Sequence, residues 1–286
     1  MIDDSLIARA EAEILIYRSN PETTCKVCKS IATPFDMIDL LKQCEAPLYP
    51  AAPSLVPVVY HRCENCGFIF TTYFDEFDCE MWRKYIYNAD YIKVDPEYLD
   101  VRPKKNSFFI DTLLSKKKSW VLGLDYGGGN GVTAETLREF GYQYDSYDPY
   151  GVSSIDNDRI GSYNFCSAME VLEHASDPIG LMEDLVSMTN HDRLMVLIST
   201  CTTDGIVTNS QRLSWWYAAP RNGHISLFSK KALAILARKF GLEYRSLSQS
   251  EHVLTRNVSN KEFSSFWLRG RIFRRLKGMR NKLVRQ

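Results

Sequence analysis

The sequence contains no apolar run approaching the roughly 18 residues of a membrane-spanning helix, which excludes an integral helical membrane protein. The opening segment MIDDSLIARAEAEILIYRSN has acids early and no basic stretch ahead of an apolar one, so it does not read as a secretory leader. Internal repeats and low-complexity tracts are absent, and so is any net charge, since 35 basic residues balance 35 acidic ones. These absences point to an ordinary cytoplasmic globular chain of 286 residues, long enough for one large α/β domain and a small appendage. In a reducing compartment the eight cysteines are not expected to pair as disulfides.

The zero net charge hides an asymmetry. From Arg269 to Gln286 there are eight Lys or Arg and no acid, so the rest of the chain holds 27 basic against 35 acidic residues. An acidic body opposes non-specific attraction to nucleic acid. In the tail, Leu268, Ile272, Leu276, Met279 and Leu283 recur at helical spacing among the basic residues. A basic amphipathic helix of that kind offers peripheral contact with an anionic membrane.

Residue patterning divides the chain into five parts. Residues 1–20 form an amphipathic helix with Leu6, Ile7, Ala10, Ile14 and Leu15 as its apolar positions. Residues 21–75 hold five of the eight cysteines in a loop-rich module, and 76–118 form a helical connector that caps the substrate. From 119 to 258 strand and helix patterns alternate, the signature of a mostly parallel sheet. Residues 259–286 are the basic tail helix.

The first strand of the alternating region, WVLGLDY, runs into GGGNG and then a helix pattern. Asp125, Gly127, Gly128, Gly129 and Gly131 therefore occupy a strand-to-helix turn, where glycines permit close backbone approach and a helix N-terminus offers unpaired amides. A nicotinamide fingerprint beginning at Gly127 fails, because its third glycine falls on Val132. The next strand ends at Asp148, placed to accept hydrogen bonds from the ribose hydroxyls of a nucleoside cofactor.

These motifs resemble those of the class I S-adenosylmethionine-dependent methyltransferases, in which an acid precedes GxGxG and a second acid ends the following strand. AMEVLEHASDP at 168–178 and GHISLFSKKAL from Gly223 are similar to later segments of that family. The resemblance implies a Rossmann-like fold that binds S-adenosylmethionine at Asp125, Gly127, Gly128, Gly129, Gly131, Asp148, Met169 and Glu170. Only about 14 residues separate Asp148 from Tyr163, too few for the usual helix, strand and helix, so the third strand is expected to be missing. The adenine contact it ordinarily supplies would go with it, and Asp156 is the nearest substitute.

Cys25 and Cys28, and Cys63 and Cys66, form two identical CxxC pairs. Two such turns set four thiolates around Zn²⁺ and leave no open position, so a structural metal in a small zinc-ribbon-like module is expected. Cys44, Cys79, Cys166 and Cys201 lack partners at metal spacing and read as packing residues. A CxxC module ahead of a methyltransferase domain resembles the sugar C-methyltransferases of polysaccharide and deoxysugar biosynthesis. Where their loop usually reads Glu-His, Gly223 and His224 stand here, which favours transfer to oxygen over transfer to carbon.

Methyl transfer to a hydroxyl requires a proton acceptor, and His224 and His174 are best placed by motif. Trp215, Trp216 and Tyr217 offer stacking faces and Arg221 a phosphate grip, while Tyr85, Tyr87 and Tyr91 are candidates for the cap. The expected acceptor is a small molecule or glycan, and within it a sugar hydroxyl. Two rivals are an RNA methyltransferase that binds RNA through the zinc module and a non-catalytic S-adenosylmethionine-binding protein.

Overall fold

The strands form two sheets, one wholly antiparallel around the CxxC segment and one with a parallel centre whose strands are linked by helices. The computed structural model describes residues 3–19, 22–44, 52–151 and 155–283, with side chains beyond Ile272 outside the described set. In chain order the strands are β1 (Thr23–Thr24), β2 (Ile31–Asp39), β3 (Pro57–Cys63), β4 (Ile69–Phe70), β5 (Leu122–Tyr126), β6 (Gln143–Tyr147), β7 (Phe165–Met169), β8 (Leu194–Ser199), β9 (Ser226–Leu227), β10 (Glu243–Ser246) and β11 (Glu251–Arg256). The helices are α1 (Asp4–Ser19), α2 (Cys79–Tyr85), α3 (Tyr91–Val94), α4 (Val101–Leu114), α5 (Val132–Glu139), α6 (Pro178–Ser187), α7 (Lys230–Lys239) and α8 (Asn260–Leu283).

The chain packs as two compact units, each assembled from three stretches. The first comprises Met1–Pro96, Glu170–Glu183 and Thr200–Phe240, and the second Glu97–Met169, Asp184–Ser199 and Gly241–Gln286. Both 76–118 and 119–258, which the patterning groups as a connector and a catalytic region, contribute residues to each unit.

In the first unit the sheet order is β1-β2-β3-β4-β9. The segment expected to be loop-rich contains a long antiparallel hairpin, with Ala32 opposite Cys63 and Asp39 opposite Pro57. The register shifts between Pro34 and Asp36, where proline has no amide to give the ladder. The core under this sheet gathers Tyr60, Tyr73, Phe74, Tyr217 and Leu227. Within α1, Leu6 and Ala10 are buried, but Ile7 and Leu15 are exposed, so its buried face is narrower than the apolar spacing implied. Glu13 takes part of that face, accepting a hydrogen bond from the Thr72 hydroxyl.

In the second unit the sheet order is β10-β11-β8-β7-β5-β6. β5 to β8 run parallel, while β11 and β10 complete one edge antiparallel. β5 pairs with β6 on one side and β7 on the other, so the chain reverses its direction of travel across the sheet at β5. Ligands of open α/β sheets bind beyond the strand ends at such a switch point. No strand intervenes between β6 and β7 among the described residues, which agrees with the missing third strand. α4 and α8 cover this sheet through Phe109, Ile110, Leu113, Phe263, Phe266 and Trp267. The apolar stripe expected of the tail differs from this packing face: Leu268 and Ile272 are more than half exposed, while Leu276, Met279 and Leu283 have side chains outside the described set.

Candidate active site

The loop after β5 is shaped by backbone conformation. Gly127, Gly129 and Gly131 all have positive φ, and Gly131 caps α5 in the left-handed region. A Cβ at Gly128 would lie 2.3 Å from Ser146 Oγ and 2.9 Å from Asp125 Oδ2, so no side chain fits there. Beneath the loop, Asp125 is buried at the end of β5 and accepts a 2.6 Å hydrogen bond from Ser167. Burial raises its pKa to about 6, against the opposing hydrogen bonds from Ser167 and Thr133. Asp148 receives the Gly129 amide at 2.8 Å on Oδ2 and the Tyr150 amide at 2.8 Å on Oδ1. The structure therefore gathers Asp125, Gly127, Gly128, Gly129, Gly131 and Asp148 into one loop system within the second unit.

Met169 ends β7 in that same unit, whereas Glu170 falls in the first, with a left-handed φ of 58° that only a few non-glycine residues adopt. Asp156 does not present a spare carboxylate: it caps a short turn through the Asp158 amide and pairs with Arg159. Arg159 also reaches Asp145, which in turn accepts the Tyr163 hydroxyl at 2.8 Å. This group braces the short β6 to β7 connection.

The two histidines singled out by sequence come together in the first unit, with ring centroids 5.1 Å apart. His174 Nδ1 lies 3.1 Å from the Gly223 carbonyl and 3.1 Å from the Tyr87 hydroxyl. His224 Nδ1 lies 2.8 Å from the Tyr217 carbonyl. A carbonyl only accepts, so each Nδ1 carries a proton. The Tyr60 hydroxyl donates to the His224 carbonyl at 2.8 Å and fixes that residue's backbone.

Glu173, not foreseen as a site residue, completes the cluster. It has no exposed surface, its Oε1 accepts the Tyr217 hydroxyl at 2.5 Å, and its Oε2 lacks a hydrogen-bond partner. Burial first, then the nearby charge of Glu170, pushes its pKa well above the usual carboxylate range. Its signal in the sequence was an acid embedded in an otherwise apolar turn, directly before a histidine already under suspicion. Cys44, expected only to pack, has its sulfur 3.7 Å from His224 Nδ1.

The comparisons with known proteins bear on both units. No curated protein matches the sequence. A family model described as a methyltransferase domain matches residues 98–247, more than half of the chain. The chain belongs to the methyltransferase family. It is an S-adenosylmethionine-dependent methyltransferase. Among solved structures, it is similar to the magnesium protoporphyrin IX methyltransferase of Synechocystis PCC 6803 with bound S-adenosylhomocysteine, at 14% identity and a TM-score of 0.40, covering 62% of this chain and 98% of that one. It is also similar to the 1,6-didemethyltoxoflavin-N1-methyltransferase of Burkholderia thailandensis, at 15% identity and a TM-score of 0.38, covering 56% and 80%. A third likeness is to the plantazolicin methyltransferase BpumL, at 16% identity and a TM-score of 0.43, covering 70% and 88%.

In this methyltransferase Gly223 has a definite role. Its φ is +84°, and a Cβ there would sit 2.8 Å from His174 Nδ1 and 2.9 Å from the Tyr87 hydroxyl. A side chain at this position therefore requires His174 or Tyr87 to move. Arg221, expected to grip a phosphate, is instead buried and donates to the Ile86 carbonyl at 2.6 Å and to Asn88 at 3.1 Å. Trp215 and Tyr217 are buried, and Trp216, at 55% exposure, keeps a free face. Of the three cap tyrosines, Tyr85 and Tyr91 are buried and Tyr87 is 41% exposed.

The four paired cysteines of the methyltransferase also converge. Their sulfurs lie within 4.8 Å of one another, with Cys25 to Cys66 at 3.6 Å and Cys28 to Cys63 at 3.4 Å. Each turn closes in the same way: Lys29 donates to the Cys25 carbonyl and Gly67 to the Cys63 carbonyl, and both residues have positive φ. Among the described residues no helix is long and apolar enough to cross a membrane.

Proposed function

We propose that this methyltransferase acts on a hydroxyl of a small-molecule or glycan acceptor, and on a sugar hydroxyl within that class. The observation that carries the reading is Gly223: where a carboxylate would assist deprotonation at carbon there is a glycine at φ +84°, and a Cβ there would press on His174 Nδ1 and the Tyr87 hydroxyl. What remains is a pair of imidazoles, His174 and His224, suited to accepting a hydroxyl proton near neutral pH.

The donor is assigned to the loop after β5. Its residues fit an adenosyl group: glycine backbone that side chains cannot crowd, amides at the start of α5, and the Asp148 carboxylate at the end of β6. Met169 and Glu170, which follow β7, are the further donor contacts that the resemblance implies. When bound, S-adenosylmethionine supplies an electrophilic methyl group on sulfonium. The protein's own part is to hold donor and acceptor in line and to take the acceptor's proton.

The Cys25, Cys28, Cys63 and Cys66 cluster is assigned to a structural Zn²⁺, because four thiolates fill a tetrahedral shell and leave nothing for substrate. Zinc analysis of the purified chain is expected to give one equivalent that is lost in Cys63→Ser. The acceptor is tested by incubating the protein with radiolabelled S-adenosylmethionine and fractionated nucleotide sugars, lipid-linked glycans and RNA. Label in a carbohydrate fraction is the expected result, and label in RNA alone would overturn the assignment.

A further inference from the structure

We propose that α8 docks in the plane of an anionic lipid bilayer, through the helix face that carries Leu268 and Ile272. The rotation of this helix on its unit is fixed at its first turns. Phe263, Phe266 and Trp267 meet the core. Glu262 receives Lys117 at 3.0 Å and Arg193 at 2.5 Å, and Arg269 donates to the Leu113 carbonyl at 2.8 Å. With that rotation set, Leu268 and Ile272 stand 54% and 52% exposed.

Helical geometry makes those two residues the start of a row. At 3.6 residues per turn, positions 268, 272, 276, 279 and 283 fall within a sector of about 80°, whose centre lies about 170° from that of the core-packing residues 263, 266 and 267. All five positions of the row are Leu, Ile or Met, and the helix runs unbroken to Leu283. The helix therefore has two apolar faces, one spent on its own unit and one turned away from it. A single exposed leucine is ordinary for a soluble protein, whereas a row kept over four turns calls for an apolar partner.

Charge selects that partner. Glu262 is the one acid of α8, and it is already taken by Lys117 and Arg193, while eight Lys or Arg and no acid follow from Arg269 to the end of the chain. On the helix, Arg269 and Arg280 border the row on one side and Arg271, Arg275 and Lys282 on the other. Cations along both margins of an apolar strip match a bilayer surface, where long basic side chains reach the headgroups while the strip enters the acyl boundary. A nucleic acid would use the charge and leave the apolar row in water. A second copy would set eight cations against eight. Each cation near an anionic surface raises partitioning by about five-fold, so a short apolar row suffices for reversible attachment.

The test is co-sedimentation of the full-length chain with vesicles of phosphatidylcholine alone and of phosphatidylcholine with about 30% phosphatidylglycerol. The chain should pellet with the anionic vesicles and not with the neutral ones, and should be released as NaCl rises from about 0.1 M to about 0.5 M. Leu268→Asp/Ile272→Asp should weaken partitioning by about 10–100-fold, and Arg275→Gln/Arg280→Gln by about 25-fold. No pelleting with anionic vesicles overturns the proposal, as does unchanged partitioning of the Leu268→Asp/Ile272→Asp variant, which would mean adsorption by charge alone. Leu268→Trp serves if the aspartate variant misfolds: bromine-labelled lipid should quench its fluorescence beyond the quenching of wild type, and the lack of any extra quenching overturns the proposal too. Displacement from the vesicles by an equal charge of RNA would assign the tail to nucleic acid instead. Because no methyl donor or acceptor is present, failure here leaves the methyltransferase assignment untouched.

Discussion

The glycine loop of the second unit and the histidine cluster of the first are built on opposite plans. The loop is drawn almost entirely from residues 125–151, and its shape comes from backbone that side chains cannot enter, as at Gly128 and at the left-handed Gly127, Gly129 and Gly131. The cluster takes Cys44, Tyr60, Tyr87, Glu173, His174, Tyr217, Gly223 and His224 from distant parts of the chain, and its shape comes from hydrogen bonds between side chains and carbonyls. A contiguous site is constrained by local conformation, and a dispersed one by tertiary packing. Damage to the first should therefore remove binding, and damage to the second should remove turnover.

The sharpest separation is expected from His224→Ala, which should lower kcat by about 10²–10⁴-fold, the usual contribution of a positioned acid or base. Donor affinity by calorimetry should stay at the wild-type value, and a parallel loss of donor binding would erase the distinction between the two plans. Gly128→Val tests the converse. It forces atoms onto Ser146 and Asp125, so donor affinity should fall together with about 1–3 kcal/mol of stability, typical of overpacking.

Gly223→Ala probes the one place where the cluster depends on backbone. A left-handed φ costs a residue with a Cβ about 1–2 kcal/mol, and the added carbon lands on His174 and Tyr87. Turnover should drop while donor affinity holds, and unchanged turnover would show that His174 need not stay where it is. The smallest effect is a matter of pH. Asp125 has its pKa raised by burial from 3.8 to about 6, so between those values the native state keeps a proton that the unfolded chain releases. Its contribution to stability thus declines as pH rises from about 4 to about 6. Asp125→Asn should become progressively more stable relative to wild type across that window, read by denaturant midpoints at each pH.

The same contrast explains what could be read in advance. Asp125, the glycines and Asp148 are tied to one strand-turn-helix pattern, and the cysteine pairs to one repeated turn, so short spacing sufficed to find them. The short interval between Asp148 and Tyr163 likewise agrees with the lack of a strand between β6 and β7 among the described residues. β1, β4 and β9 escaped notice because two residues carry no period, and β9 lies more than 150 positions downstream of the β4 strand it pairs with. Arg221 was misjudged because nothing in PRNGH indicates that the Ile86 carbonyl and Asn88 already occupy its guanidinium. In the tail, Phe263, Phe266 and Trp267 meet the core of their unit, while Leu268 and Ile272 of the expected stripe are exposed.

The two-residue strand β9 has a consequence for how the protein is made. Ser226 and Leu227 cover the edge of β4, so during synthesis the cysteine-bearing sheet emerges first and waits, one margin bare, for more than 150 further residues. A fragment cut after residue 75 would keep the exposed margin permanently, so grafting the N-terminal piece onto another enzyme should give an aggregating chimera unless the 226–227 segment travels with it.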